Sequence, residues 1–186
     1  ISSMAHPLSM PVYDNHKKRI VHGYGILQPR VSASLPRGNS SWYAKIHSND
    51  SGLDPYTRIT SDVYQDLFGE GSFIGKGIYD IDAFEMVLGS RFPENRVLSH
   101  DLLEGSYLRC GLVTDVQLYE DYPEKYITDV SRRHRWVRGD WQIASWALPF
   151  SPGADGKLAS NHLSGLSHWK ILDNLRRSLV APALLI

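Results

Sequence analysis

The stretch Leu112-Val-Thr-Asp-Val-Gln-Leu118 predicts a β-strand from its β-branched content, and helix patterns flank it on both sides. Before it, a helix is expected to begin near Ser99, a favourable N-cap residue, and to end before Gly111. After it, we expect the longest helix, from Pro123 or Thr128 to Trp146, with an apolar side formed by Ile127, Val130, Val137, Trp141 and Ala144. This alternation indicates a mixed α/β domain.

Shorter elements are expected nearer the N-terminus. The run Val21-His-Gly-Tyr-Gly-Ile-Leu-Gln28 predicts a strand. Apolar residues at helical spacing predict a helix over 62–68, which Gly69-Glu-Gly71 interrupts. Another helix is expected from Asp80 or Asp82, either of which can cap it, to Leu88, with Gly89 as its stop.

One linker-like piece, Ser151-Pro-Gly-Ala-Asp-Gly-Lys157, divides the chain. It predicts an α/β part over residues 1–150 and a linker with an amphipathic segment over residues 151–186. That segment is expected to lead toward a membrane helix. The apolar run Leu179–Ile186 follows Lys170, Arg176 and Arg177, and it fits either the first turns of such a helix or a short buried C-terminal segment.

Composition excludes several classes of protein. The chain has 186 residues, 42% of them hydrophobic and 22% charged, which is the composition of an ordinary folded domain. The formal net charge of zero excludes a broadly basic nucleic-acid coat and an acidic disordered tail. A single Cys110 cannot form an intrachain disulfide, so a disulfide-stapled scaffold is excluded and a reducing compartment is favoured. We see no signal peptide in Ile1–Ile20, and the start, which is not Met, is expected to be cut.

The segment Arg132-Arg-His-Arg-Trp-Val-Arg-Gly-Asp-Trp-Gln142 carries the strongest local signal. On a helix, one broad face would hold Arg132, Arg135, Trp136 and Asp140. Guanidinium groups beside an indole suit phosphate oxygens and a sugar ring. A solvated basic face, an ion-pair set using Asp140 and an interfacial helix stay open as alternatives. Nucleic-acid binding is disfavoured, because the rest of the chain supplies no matching basic stripe.

Two further segments carry candidate chemistry. Asp101 lies in the first turn of a predicted helix, where a carboxylate can serve as a general base, and Glu104 follows on a similar face. The glycine-rich segment Gly71–Asp80 surrounds Lys76 with glycines, but Gly-Lys is not followed by Ser or Thr, so it is not a Walker loop. A plain connection into the next helix is the alternative for this segment.

Together these segments resemble the glycosyltransferase region of the cyclic β-1,2-glucan synthases. The resemblance rests on Gly75-Lys-Gly-Ile-Tyr-Asp80, on Phe92-Pro-Glu-Asn95 with Leu98-Ser-His-Asp-Leu-Leu-Glu-Gly105, and on Arg132–Gln142. It continues in blocks upstream and downstream, and so covers nearly the whole chain: Gly23–Arg30, Asp54-Pro-Tyr-Thr57 and Trp169–Arg177.

The resemblance implies roles for individual residues, since that family is similar to processive inverting glycosyltransferases of the GT-A fold. Asp101 occupies the place of the base that deprotonates the acceptor hydroxyl, with His100 where the wider superfamily usually has Glu. The Q-x-x-R-W motif is matched by Arg135 and Trp136, with Arg132 in place of Gln. The implied cleft wall adds the weaker candidates Lys76, Glu94 and Glu104.

The resemblance also implies partners and a fold. The expected fold is a partial GT-A-like mixed sheet with flanking helices, holding the acceptor half of the site. UDP-glucose and a glucan acceptor would bind in the parent protein, at the cytoplasmic face of the bacterial inner membrane. Ligands for Mg²⁺ or Mn²⁺ are expected upstream of Ile1, with no metal ligand in this chain. The isolated chain is therefore expected to be inactive.

Two other classes remain open on the residues alone. A glycoside hydrolase or phosphorylase piece would need two carboxyls facing one sugar bond, and Asp101 with Glu104 is the attractive pair. A non-enzymatic membrane-surface module would use the Arg132 helix and the segment Trp169–Arg177.

Overall fold

A computed structural model describes residues 2–35, 38–47, 62–97 and 101–186. The strands are β1 (Val12–Asp14), β2 (Arg19–His22), β3 (Ile26–Ala33), β4 (Ile78–Tyr79), β5 (Cys110–Glu120), β6 (Phe150–Pro152) and β7 (Leu158–Ser160). The α-helices are α1 (Trp42–His47), α2 (Val63–Phe68), α3 (Ile81–Leu88), α4 (Asp101–Leu108), α5 (Tyr126–Gln142) and α6 (Gly165–Ala183). Short 3₁₀ helices lie at Pro7–Ser9 and Ala144–Ala147.

The central sheet has the strand order β4-β3-β5. Strand β3 pairs antiparallel with β4 and parallel with β5, and two separate hairpins, β1-β2 and β6-β7, stand beside this sheet. The expectation of an α/β fold with a mixed sheet and flanking helices is confirmed.

The parallel ladder between β3 and β5 is interrupted at Pro29. Pro29 pairs with Val113, but the next pair joins Arg30 to Gln117, so that three residues of β5, 114–116, have no partner in β3. Proline has no backbone N–H to donate to a ladder, which accounts for the break at this position.

The prediction of one continuous strand over residues 21–28 is wrong, because two strands share this range. Strand β2 ends at His22, and β3 begins at Ile26. Gly23 between them has a φ of +63°, and a Cβ there would lie 1.9 Å from the Met10 carbonyl oxygen. The chain therefore turns at a glycine instead of continuing as one strand.

Helices α2 and α3 begin and end at residues that suit helix termini, and their predicted bounds are confirmed. The Asp62 carboxylate accepts a hydrogen bond from the Tyr64 N–H at the start of α2, and Gly69 ends that helix with a φ of 68°. The Asp80 carboxylate accepts from the Ala83 N–H at the start of α3, and Gly89 follows its last residue. Helix α4 ends before Gly111, as predicted, whereas the proposed cap Ser99 lies outside the described residues.

Helix α5 differs from its prediction. It ends at Gln142, before the 3₁₀ turn that contains Trp146, and its 17 residues are fewer than the 19 of α6. The predicted apolar side is largely solvent-exposed in the described structure, at Ile127, Val130, Val137 and Trp141. Helical spacing identifies a face, but it does not say whether another element covers that face.

The predicted linker over 151–157 forms most of the β6-β7 hairpin. Helix α6 then returns to the core, where Ile171 is fully buried with Leu103, Ile143 and Trp146. The apolar residues Leu179, Val180 and Leu184–Ile186 are exposed, so the alternative of a buried C-terminal segment is wrong for the structure described here. Within the described ranges, no helix combines the length and the apolar character needed to cross a membrane.

Gly105 lies where α4 packs against the glycine-rich segment. A Cβ on this residue would lie 2.6 Å from the Cβ of Phe73. We therefore expect Gly105→Ala to lower the free energy of unfolding by about 1–3 kcal/mol, the usual cost of overpacking a core. Denaturant unfolding measures this change.

Gly165→Ala is the matched control, because Gly165 begins α6 and has no atom within 4 Å of a built Cβ. The control should be as stable as the parent or slightly more so. Equal stability of both variants would contradict the packing described for α4.

Candidate active site

A cavity of about 640 Å³ opens between the sheet and the two long helices. One wall comes from α5 and α6, and the other comes from the glycine-rich segment and the start of α4. Glu120 at the end of β5 and Tyr64 of α2 complete the lining. The cavity therefore brings together residues that lie between positions 64 and 178 of the chain.

The structure brings five of the sequence-predicted site residues into this cavity: Asp101, Arg132, Arg135, Trp136 and Lys76. Glu104 is placed elsewhere, and its carboxylate accepts a hydrogen bond of 3.2 Å from the Tyr79 hydroxyl. Glu94 is exposed. Neither of these two glutamates is among the described residues that line the cavity, so Asp101 and Glu104 do not form a carboxyl pair facing it.

Asp101 is the first residue of α4, and the glycine-rich segment passes close to its carboxylate. A Cβ on Gly75 would lie 2.9 Å from Asp101 Oδ2, and the φ of Gly75 is +84°. A residue with a side chain would be strained at this φ and would have to displace the carboxylate. The absence of a side chain at position 75 thus lets the backbone approach Asp101.

Arg132 is held at the cavity by a buried acid on its own helix. Asp129 is 2% exposed, and its carboxylate accepts hydrogen bonds of 2.7 Å from Arg132 and 2.9 Å from Arg133. The Arg132 guanidinium also lies 4.8 Å from the centroid of the Trp136 ring and 5.3 Å from that of Tyr122. Its rotamer is fixed by these contacts, while its buried Nε has no hydrogen-bond partner among the described residues.

Asp129 receives two further donors from outside α5. The hydroxyls of Tyr43 and Tyr122 donate to its Oδ2 at 2.9 and 3.3 Å. Burial raises the pKa of the Asp129 carboxyl, but the hydrogen bonds from Tyr43, Arg133 and Arg132 outweigh it, so the pKa lies below the ordinary value of 3.8. The carboxylate is therefore charged at neutral pH.

The glycine-rich segment is fastened to the sheet by the buried Gln28 side chain. Gln28 Nε2 donates to the Ser72 carbonyl at 2.7 Å, and Gln28 Oε1 accepts from the Ile74 N–H at 3.1 Å. Lys76 forms an ion pair with Glu120 across the cavity wall. The segment is thus a wall of the cavity as well as the connection into α3.

Lys170 of α6 contributes a buried ammonium to the cavity wall. Its Nζ donates to the Gly71 carbonyl at 2.9 Å, lies 3.5 Å from Glu70 Oε1 and stands 5.1 Å from the centroid of the Tyr64 ring. Burial lowers the pKa of the Lys170 amine, and the neighbouring Glu70 carboxylate opposes that shift.

Charge in the cavity is predominantly positive. Among the described residues that line it, six are basic (Lys76, Arg132, Arg133, Arg135, Lys170 and Arg177) and three are acidic (Asp101, Glu120 and Asp140). Guanidinium groups suit the oxygens of a phosphate, and the half-exposed Trp136 offers an aromatic face to a sugar ring. The cavity can therefore hold an anionic sugar derivative with a carboxylate beside it.

The described residues do not fit a divalent cation site. No group of three His, Cys, Asp or Glu side chains with metal-binding geometry occurs in the described ranges. Asp80 and Asp82 have a D-x-D spacing, but the Asp80 carboxylate caps α3 and neither residue lines the cavity.

Sequence reasoning missed several residues of the site. Asp129 could have been found from the Asp-x-x-Arg-Arg spacing, which places an acid one turn before two arginines. Four cavity residues of α6 recur at positions that share one helical face: Lys170, Asn174, Arg177 and Ser178.

Comparison with known proteins supports the resemblance drawn from the motifs. The chain is 50% identical over 184 residues to the cyclic beta-(1,2)-glucan synthase NdvB of Rhizobium meliloti (strain 1021). The chain is similar to a glucan synthase. The alignment covers 98% of this chain but only 6% of that protein, so the chain spans a small part of the length of its curated relative. No protein-family model matches the chain.

We expect Asp129→Asn to lower the free energy of unfolding by about 1–3 kcal/mol, because two arginines and two tyrosines lose a buried charged acceptor. Because the folded-state pKa is depressed, this stabilisation is present above pH 3.8 and is lost as the pH falls through the folded-state pKa. Thermal or denaturant unfolding between pH 3 and 7 measures the difference.

Asp155→Asn is the control, because Asp155 lies on the surface with Lys157 at 3.8 Å. This exposed pair should change the stability by less than about 0.5 kcal/mol. The free energies of unfolding of Asp129→Asn and the parent should become more alike as the pH falls. If their difference stayed the same in acid, the role given to the Asp129 charge would be contradicted.

Proposed function

We propose that this chain forms the acceptor side of a glycosyltransferase active site, in a synthase that transfers glucose from UDP-glucose to a growing β-1,2-glucan with inversion. The observation that carries this proposal is the meeting of Asp101 with Arg132, Arg135 and Trp136 in one cavity, in a chain that is 50% identical to a cyclic β-(1,2)-glucan synthase.

In the proposed reaction, the Asp101 carboxylate takes the proton of an acceptor hydroxyl. The freed oxygen attacks the anomeric carbon of UDP-glucose from the face opposite UDP, and the bond from that carbon to the diphosphate oxygen breaks. UDP leaves with the bonding electrons, so an α-linked donor yields a β-linked product.

The arginines of α5 act on the leaving group in this scheme. Negative charge builds on the diphosphate as the bond breaks, and Arg132 and Arg135 provide donors for its oxygens. Asp129 keeps Arg132 in one orientation before substrate arrives, which reduces the reorganisation needed in the transition state. Trp136 would pack against the acceptor or the donor sugar.

The proposal assigns Mg²⁺ or Mn²⁺ to the parent protein, on residues other than those described here, because these do not fit a cation site. It also implies that this chain alone does not complete a turnover.

We further propose that the parent works at the cytoplasmic face of the inner membrane. The outer side of α6 supports contact with a membrane surface, since it exposes Trp169, Leu172, Leu179 and Val180.

In the full-length synthase, Asp101→Asn should lower glucan synthesis by at least about 10²-fold, because the shape of the side chain is kept while its basicity is lost. Binding of UDP-glucose should be nearly unchanged. Turnover with radiolabelled UDP-glucose and equilibrium binding of the nucleotide sugar measure the two effects.

Asp82→Asn is the matched control, because Asp82 also lies in the first turn of an eight-residue helix but is exposed and away from the cavity. It should leave turnover unchanged. If Asp101→Asn kept more than about a tenth of the wild-type turnover, the general-base role would fail. Glu104 would then be the next acid to replace.

Arg135→Ala should weaken UDP binding by roughly 10- to 100-fold, as expected for loss of a charge-assisted hydrogen bond, and it should lower turnover as well. Arg138→Ala is the control, because Arg138 lies one turn further along α5, is exposed and does not line the cavity. Unchanged UDP affinity in Arg135→Ala would argue against the diphosphate contact.

A further inference from the structure

Helices α5 and α6 are joined along the cavity by a chain of polar side chains, which we call the α5–α6 seam and define as Asp140, Asn174 and Arg177. Asn174 Nδ2 donates to Asp140 Oδ1 at 3.2 Å, and the Arg177 guanidinium donates to Asn174 Oδ1. All three side chains line the cavity. The motifs did not indicate Asn174 or Arg177 as site residues, and they placed Asp140 only on the helix face that holds Arg132 and Trp136.

The seam differs chemically from the end of the cavity that holds Arg132. It combines one carboxylate, one amide and one guanidinium, so formal charges within it cancel, whereas Arg132, Arg133 and Arg135 concentrate positive charge. Asp140 would repel a diphosphate. A sugar hydroxyl both donates and accepts hydrogen bonds, and a carboxylate, an amide and a guanidinium together satisfy several such groups.

An aromatic face lies beside the seam. Trp136 and Asp140 are four residues apart on α5, so they share one face of the helix, and both line the cavity. A sugar ring resting on the indole would place its hydroxyls toward the seam. Polar groups beside an aromatic ring are the usual composition of a site that holds a neutral ligand of mixed polarity.

The seam lies on the side of the cavity where α4 packs. Leu102, the neighbour of Asp101, belongs to the same apolar cluster as Ile143 of the α5 C-terminal turn and Leu175 of α6. Ile143 is three residues beyond Asp140, and Leu175 adjoins Asn174. Arg132 lies about two turns back along α5, so the seam is nearer than Arg132 to the end of the helix where this cluster packs.

We propose that the α5–α6 seam is a subsite for the glucan acceptor, in which Asp140, Asn174 and Arg177 hold sugar hydroxyls while the reacting hydroxyl lies at Asp101. This inference rests on the proposed function and deepens it, because it separates the residues that hold the acceptor from the arginines that hold the donor diphosphate.

The test uses the full-length synthase with UDP-glucose and an added β-1,2-linked gluco-oligosaccharide as acceptor. Arg177→Ala should raise the KM for the oligosaccharide by roughly tenfold or more, as expected for the loss of hydrogen bonds from a charged group. The KM for UDP-glucose should stay within about twofold, since uniform loss of acceptor binding leaves donor contacts intact.

Arg176→Ala is the matched control. Arg176 and Arg177 are neighbours on α6 that both pair with Asp173, at 2.8 and 3.6 Å, but Arg176 points to solvent and does not line the cavity. Arg176→Ala should keep both KM values of the parent. Asp140→Asn, which preserves the shape of the side chain, should raise the acceptor KM in the same direction as Arg177→Ala, and it decides the question if Arg177→Ala does not fold.

A rise in the KM for UDP-glucose without a rise for the oligosaccharide would overturn the proposal, because the seam would then serve the donor. Unchanged KM values in Arg177→Ala and Asp140→Asn would overturn it as well. If the wild-type protein made no glucan from UDP-glucose, the proposed function would fail, and calorimetric titration with the oligosaccharide would test the seam alone. If Arg177→Ala lost oligosaccharide binding while Arg176→Ala kept it, the acceptor subsite at the seam would be supported. If both variants bound the oligosaccharide equally well, the proposed subsite would be overturned.

Discussion

A buried ammonium couples the last helix to the glycine-rich segment, whose backbone lies close to the Asp101 carboxylate. Lys170 is 4% exposed, and its hydrogen bond to the Gly71 carbonyl joins α6 to the glycine-rich segment. Removing a charge from water costs several kcal/mol unless hydrogen bonds and an opposite charge compensate, which here come from Gly71 and Glu70. A shift of α6 would uncouple these groups, so the two walls of the cavity keep their relative position.

In both long helices, an aspartate pairs with arginines of the same helix. In each helix, a buried aspartate stands three and four residues before a pair of arginines: Asp129 before Arg132 and Arg133 in α5, and Asp173 before Arg176 and Arg177 in α6. Each aspartate holds one or more arginines of the cavity lining. Such pairing orders flexible side chains within the helix itself, before any ligand arrives.

Features encoded by neighbouring residues were predictable, and features that depend on distant partners were not. The Asp80 cap and the glycine stops of α2 and α3 act within one turn, so the sequence identifies them. The similarity of motifs likewise indicated Asp101 and the Arg135-Trp136 pair as residues of one site. The break at Gly23, the exposed apolar side of α5 and the return of α6 to the core depend on residues far away in the chain, which no local spacing reveals.

The close approach of the Gly75 backbone to the Asp101 carboxylate restricts how this region can vary. Any replacement at position 75 adds at least a Cβ, which would meet the carboxylate at 2.9 Å and adopt a φ that side chains disfavour. Every single substitution of Gly75 is therefore expected to disturb the position of the Asp101 carboxylate. The glycine is constrained by this contact even though it contributes no chemical group of its own.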